Sequence, residues 1–146
     1  MTTALADTNL FIRFLTEANP SDESPTQHLF QQVHAKQLTL IWPTVVLAEV
    51  VFVLTSKRLY HVPRTEIADL LSPFFKLPCL KIEERAVAER ALAIFASTAL
   101  DLVDAWLVAK AQLGKIKTIC SFDTDFQAVS GIHWLNPSVD LSVQGQ

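Results

Sequence analysis

Thr3-Ala4-Leu5-Ala6-Asp7-Thr8-Asn9-Leu10-Phe11-Ile12-Arg13-Phe14-Leu15 changes its hydrophobic period in the middle. Residues 3–6 are a short apolar run that stops at Asp7, and beyond it Leu10, Phe11, Phe14 and Leu15 recur at helical spacing. The stretch reads as strand, acidic turn, helix. Asp7 therefore falls at the carboxyl end of a first strand, where open α/β folds collect their ligands.

The same alternation continues outward. Residues 19–23 are polar and contain Pro20, which marks a loop, and Ser24-Pro25 supplies an N-cap followed by proline at the first helical position, opening a helix to about Lys36. Residues 38–42 are a short apolar strand, ended by Pro43-Thr44 before a helix over about 45–58. Val62-Pro63 and Arg64 begin a helix through about Phe75, the apolar stretch Leu77–Ile82 is a candidate strand, and an alanine-rich helix over 83–97 follows. The next helix spans 101–114, with Asp101 as its N-cap and Gly114 at its stop. A strand at 117–121, a carboxylate-bearing turn at 122–126, a last strand at 133–135 and a polar tail from about 137 complete the chain. Short apolar strands separated by helices imply an α/β fold, expected as a three-layer α/β/α sandwich around a mainly parallel central sheet. No internal boundary divides residues 1–146, so one domain is expected.

Composition narrows the class. A chain of 146 residues buries about 68–70% of its unfolded surface and needs neither disulfides nor a structural metal to fold. Half the residues are hydrophobic, only three are glycine, and no repeat or low-complexity tract interrupts them, which excludes disorder and solenoids. The opening MTTALADTNL has no basic and apolar leader pattern, and no apolar run approaches the roughly 20 residues that cross a bilayer, so a cytoplasmic protein without a membrane span is expected. Cys79 and Cys120 have apolar neighbours and no metal-ligand spacing, and read as buried reduced thiols. A net charge of −3 argues against the broad basic surface of non-specific nucleic-acid binders. Acidic residues gathered around a cation would invert that local field.

The chemistry lies in where the acids fall. Asp7 and Asp123 each follow a strand, whereas Glu49 and Asp104 stand inside apolar helices: Val45-Val46-Leu47-Ala48-Glu49-Val50-Val51-Phe52 and Leu102-Val103-Asp104-Ala105-Trp106-Leu107. A carboxylate on a helix apolar nearly all round is expected to be at least partly buried and so to need a partner. For one isolated acid that partner is ordinarily an Arg or Lys. Two such helices plus two strand-end aspartates point instead to a shared crevice. Four carboxylates there would repel by about 4 kcal/mol per pair at about 4 Å in an effective dielectric of about 20. Several pairs approach the roughly 5–15 kcal/mol that holds a domain together. An oxygen-ligated divalent cation relieves this without loss of charge, and a set lacking His and Cys favours Mg²⁺ or Mn²⁺ over Zn²⁺. Asp101, three residues before Asp104, reads as a helix cap rather than a ligand. In Ser121-Phe122-Asp123-Thr124-Asp125-Phe126, Asp123 is the candidate ligand and Asp125 a secondary one.

These residues resemble the PIN-domain nucleases, and among them the VapC-type toxins of prokaryotic toxin–antitoxin modules. Asp7-Thr8-Asn9 with Arg13 downstream is similar to the family's opening D-[TS]-N and its arginine, and Ala48-Glu49-Val50 to its helix glutamate. Asp104-Ala105 with Val108-Ala109 resembles D-A-x-x-x-A, and residues 121–126 resemble T-x-D-x-D-F, with Ser121 standing where the family often has Thr. The four segments occur in order and span nearly the whole chain. The resemblance implies a Mg²⁺-dependent endoribonuclease with Asp7, Glu49, Asp104 and Asp123 as catalytic metal ligands and the Thr8 and Ser121 hydroxyls as secondary site residues. Asn9 would order the first turn. It also implies an RNA substrate, a cognate antitoxin and a homodimer.

The mechanism that follows is metal-assisted phosphodiester hydrolysis with no side-chain nucleophile. Arg13 is the candidate to hold a flanking phosphate, with a solvated or structural arginine as the alternative. Trp42, Trp106 and Trp134 read as core or interface residues rather than base-stacking platforms. A phosphatase that phosphorylates an aspartate after strand one is disfavoured, because the pattern calls for an aspartate where Asn9 stands and leaves Glu49 without a task. A stand-alone RNA-processing nuclease and a non-catalytic RNA- or protein-binding module of the same fold are the remaining readings.

Overall fold

The computed structural model describes residues 2–21 and 23–141. Its elements alternate as expected: β1 (Thr2–Leu5), α1 (Thr8–Thr16), α2 (Pro25–His34), β2 (Leu38–Trp42), α3 (Thr44–Thr55), α4 (Arg64–Phe75), β3 (Leu80–Ile82), α5 (Arg85–Ser97), α6 (Leu102–Leu113), β4 (Thr118–Cys120) and β5 (His133–Leu135). Every strand pair is parallel, because each return to a sheet passes through a long crossover. The result is an α/β fold with parallel strands and six helices among the described residues.

The ladder is not continuous. β1, β2 and β3 form one sheet in that order, and β4 with β5 forms a second. With three residues each, β3, β4 and β5 add few ladder bonds, and helix packing links the two sheets: α6 lies on α5 and also touches α3 and β4. The part of the polar tail at 142–146 lies outside the described residues. Before it, Asn136 and Asp140 close a turn, with the Asn136 N–H donating to Asp140 Oδ2 at 2.7 Å.

Local chemistry sets the element ends. Ser24 Oγ accepts from the Gln27 N–H at 3.2 Å and Pro25 opens α2, as the Ser-Pro pair implies. At the end of α6 a side chain on Gly114 would place its Cβ 2.7 Å from the Lys110 carbonyl oxygen, so only glycine fits this close approach. Helix α5 starts at Arg85, two residues later than its pattern suggests, because Glu84 adopts a left-handed conformation (φ 50°). Two bonds hold that conformation: Lys110 Nζ to Glu84 Oε1 at 3.0 Å and Trp106 Nε1 to Glu84 Oε2 at 3.2 Å. These donors hold the Glu84 carboxyl below its usual range.

The core centres on Trp42 and Phe11, both fully buried, with rings stacked at a centroid distance of 3.8 Å. Phe74 meets both rings edge-on, and Phe30 and Phe14 extend the cluster over α2. Leu47, Val50, Val51 and Leu54 of α3 and Ala105, Val108 and Ala109 of α6, the helices that bear Glu49 and Asp104, are buried as well. Trp106 is also buried and Trp134 half-buried, in keeping with structural roles. Cys79 is half-buried and Cys120 exposed, so the expected burial fails for Cys120. It lies on a strand paired on one side only, in a two-stranded sheet.

Candidate metal and phosphodiester site

Asp7 occupies the N-cap position of α1, yet its side chain accepts no bond from the helix. Its carboxylate is left free of capping duty at the end of β1. The next residue, Thr8, is buried and donates from Oγ1 to Glu49 Oε2 at 3.1 Å, tying the start of α1 to the middle of α3. Glu49 itself is exposed, against the expectation of partial burial. Its helix is apolar on the outward side as well, where Val45 and Phe52 are 74% and 72% exposed, so an apolar surround did not mean an interior position.

Asp104 is half-buried in the first turn of α6. Asp101 caps that helix, its Oδ1 accepting from the Asp104 N–H at 3.2 Å, as its position before the helix implies. Desolvation is the first cause that pushes the Asp104 carboxyl above the usual carboxylate range. Repulsion and hydrogen bonding from Asp101 and repulsion from Asp123 and Asp125 act in the same direction. The last two come from the turn after β4, where Ser121 Oγ accepts from the Asp123 N–H at 3.0 Å and Asp123 Oδ1 from the Asp125 N–H at 2.8 Å. Trp134 Nε1 anchors this turn by donating to the Ser121 carbonyl at 2.9 Å.

Thr8, next to Asp7 in the chain, is thus bonded to Glu49, and Asp101, Asp123 and Asp125 surround Asp104. Glu49 and Asp101 both line a cavity of about 780 Å³, whereas Asp7, Asp104 and Asp123 are not among its lining residues. Arg13 is exposed and lines a separate recess of about 230 Å³ with Thr16, Glu17, Pro25 and Thr26. Among the described residues neither Glu49 nor Asp104 has a Lys or Arg partner; the ion pairs there are Arg85–Glu89 and Lys110–Glu84. The ordinary fate of an isolated acid is therefore not theirs. The donor set is all oxygen and suits a hard divalent cation in kind, and Asp104 sits in the excess negative field that such a cation relieves. No three of these side chains stand gathered at coordinating distance among the described residues.

The PIN domain family matches residues 4–132, which takes in every one of these acids. The chain belongs to the PIN domain family. PIN domains are typically nucleases and typically use divalent metals. The chain is also similar to one in the crystal structure of VapBC2 from Rickettsia felis bound to a DNA fragment from their promoter, at 18% identity and a TM-score of 0.35, over 93% of this chain and 98% of that one. No curated protein matches the sequence. No helix among the described residues of this PIN domain is long and apolar enough to cross a membrane.

Two residues that fasten α6 and the segment before it have no counterpart in the sequence reading. Arg64 holds the segment before α6 and Glu84 bonds Trp106 and Lys110 within the helix, in each case across more than 20 positions, and neither lies in a pattern that marks such a bond.

Proposed function

We propose that this PIN domain is a Mg²⁺- or Mn²⁺-dependent endoribonuclease, acting as the toxin of a VapBC-type toxin–antitoxin module, with Asp7, Glu49, Asp104 and Asp123 as its metal-holding carboxylates. The observation that carries the reading is the gathering of aspartates at Asp104: it is half-buried, Asp101 caps it, Asp123 and Asp125 lie near enough to repel it, and among the described residues it has no Lys or Arg partner. Such repulsion is costly unless a ligand offsets it.

When bound, the cation would neutralise charge on a phosphodiester oxygen and make water a competent nucleophile near neutral pH. The chain's own groups hold and orient. Thr8 fixes one Glu49 oxygen by its 3.1 Å bond, and the other takes no hydrogen bond among the described residues. Asp101 spends its side chain on the helix cap, so Asp104 rather than Asp101 serves as ligand. Asp123 gives one oxygen to its own turn and keeps the second available, with Asp125 and Ser121 as supporting residues. Arg13 remains a candidate for a more distant phosphate of the RNA.

The test is cleavage of a labelled single-stranded RNA by the purified chain. Cutting is expected with Mg²⁺ or Mn²⁺ and not with EDTA. Failure to bind either metal would favour the non-catalytic module instead. The partner expected from the motif resemblance is an antitoxin that inhibits cleavage.

A homodimer is part of the same proposal. Val45 and Phe52 on α3 and Val103 and Leu107 on α6 are exposed, and the two helices are in contact, so they present apolar surface side by side. Light scattering at tens of micromolar is expected to give about twice the 16.3 kDa chain mass. A strict monomer would contradict the dimer while leaving the chemistry intact.

A further inference from the structure

Helix α6 carries Asp104 in its first turn, so the site depends on how the segment before α6 is held. That segment runs from the end of α5 at Ser97 to Asp101. Thr98 fastens it to α5, donating from Oγ1 to the Ile94 carbonyl at 2.7 Å while accepting from the Leu100 N–H at 3.2 Å. The second fastening comes from another helix. Arg64, the first residue of α4, lays its guanidinium 4.0 Å above the Phe95 ring. Its Nε donates to the Phe95 carbonyl at 3.0 Å and its Nη2 to the Leu100 carbonyl.

The Phe95 carbonyl is one of the last four of α5, which have no intrahelical partner, and a cation there also favours the helix dipole. Leu100 immediately precedes Asp101, whose carbonyl accepts from the Ala105 N–H at 2.9 Å and whose side chain caps Asp104. A shift at Leu100 therefore moves the turn that bears Asp104. Arg64, Phe95, Asp101 and Glu49 line the same cavity, so this fastening stands in one wall with Glu49 and with the residue that caps Asp104.

We propose that Arg64 is a positioning residue for the carboxylate site: its guanidinium, fixed to the Phe95 and Leu100 carbonyls, sets where Asp104 stands relative to Glu49. This rests on the metal-dependent reading above. A lysine cannot replace it, because a single ammonium lacks the planar fork that bonds two carbonyls while stacking on a ring.

The molecule contains its own control. Arg85, at the start of α5, donates from Nη2 to the Phe75 carbonyl and from Nε to Glu89, has its guanidinium 5.8 Å from the Phe75 ring, and lines a different cavity that contains none of the four candidate carboxylates. The experiment is a Mn²⁺ titration of the full chain followed by electron paramagnetic resonance, at a temperature where circular dichroism shows each variant folded. Arg64→Lys is expected to weaken Mn²⁺ binding by about 10–100-fold, the range found when a group supporting a metal ligand is removed. Thr98→Val, which loosens the same segment from the exposed side, should weaken it in the same direction and serves if Arg64→Lys does not fold. Arg85→Lys is expected to lower the melting temperature yet bind Mn²⁺ within about two-fold of the unaltered chain. Unchanged binding in the folded variants of this segment, or an equal loss in Arg85→Lys, overturns the role given to Arg64. Absence of any Mn²⁺ site in the unaltered chain overturns the metal reading itself, and Arg64 then has no site to position.

Discussion

Asp104→Asn is expected to lower RNA cleavage by about 10³-fold or more, equivalent to about 4 kcal/mol of transition-state stabilisation, while leaving the domain folded and more stable at neutral pH. Asn keeps the size of the side chain and removes the charge that a divalent cation needs. The stability gain follows from the direction of the Asp104 shift. Its carboxyl is raised in the folded protein above the reference of 3.8, first by desolvation and then by Asp101, Asp123 and Asp125. Between the reference and the raised value the folded state holds more protons than the unfolded chain, so stability falls as pH rises through that window. Asn does not titrate and escapes the loss. Its advantage over Asp104 should therefore be present at pH 7 and fade as the pH drops below the reference. Glu49→Gln and Asp7→Asn are expected to abolish cleavage equally and to leave the fold intact. Thermal melts in EDTA decide the matter: if these variants unfold there, the acids are structural partners and the nuclease reading loses its support.

The largest effect on stability is expected at Trp42. Trp42→Ala should cost about 3–5 kcal/mol, a large share of the roughly 5–15 kcal/mol that holds a domain of this size. Trp42 is fully buried, stacks on Phe11 at 3.8 Å and meets Phe74 at 5.7 Å, so truncation removes the centre of the aromatic cluster. Its indole Nε1 is buried without a hydrogen-bond partner among the described residues. Trp42→Phe, which keeps a ring against Phe11 and deletes the orphaned donor, should therefore cost much less than Trp42→Ala. Denaturant titration measures both. Equal losses for the two variants would show that a ring retained against Phe11 contributes nothing and would contradict this account of the cluster.

Features encoded by neighbouring residues were legible in the sequence. The bounds of β2 at Leu38–Trp42, the Ser24-Pro25 start of α2 and the cap by Asp101 all depend on contacts within a few positions. The exposure of Glu49 was not legible. Helix α3 is apolar on both its inward and outward sides, so its composition gives no direction to solvent, and only packing against α1 decides that Val45, Glu49 and Phe52 face out. Cys120 misled for a related reason: an apolar strand reads as buried whether or not a second strand covers its free edge. Arg64 was invisible because its acceptors are backbone carbonyls 31 and 36 positions away, which carry no residue identity. The left-handed Glu84 is equally silent, since its conformation is held by Trp106 and Lys110 from α6.

The chemistry of the cut ends tests the central claim most directly. His28 and His34 lie on α2, His61 in the connection after α3 and His133 on β5, a scatter in which no pair for acid–base transfer from the 2′-hydroxyl is evident. Water directed by a metal held at Asp7, Glu49, Asp104 and Asp123 should leave a 5′-phosphate and a 3′-hydroxyl, including when the scissile nucleotide carries a 2′-deoxy or 2′-O-methyl group. End-group analysis of RNA cut in Mg²⁺ or Mn²⁺ is predicted to give those ends and no cleavage in EDTA; cleavage that persists in EDTA and yields a 2′,3′-cyclic phosphate would contradict the account.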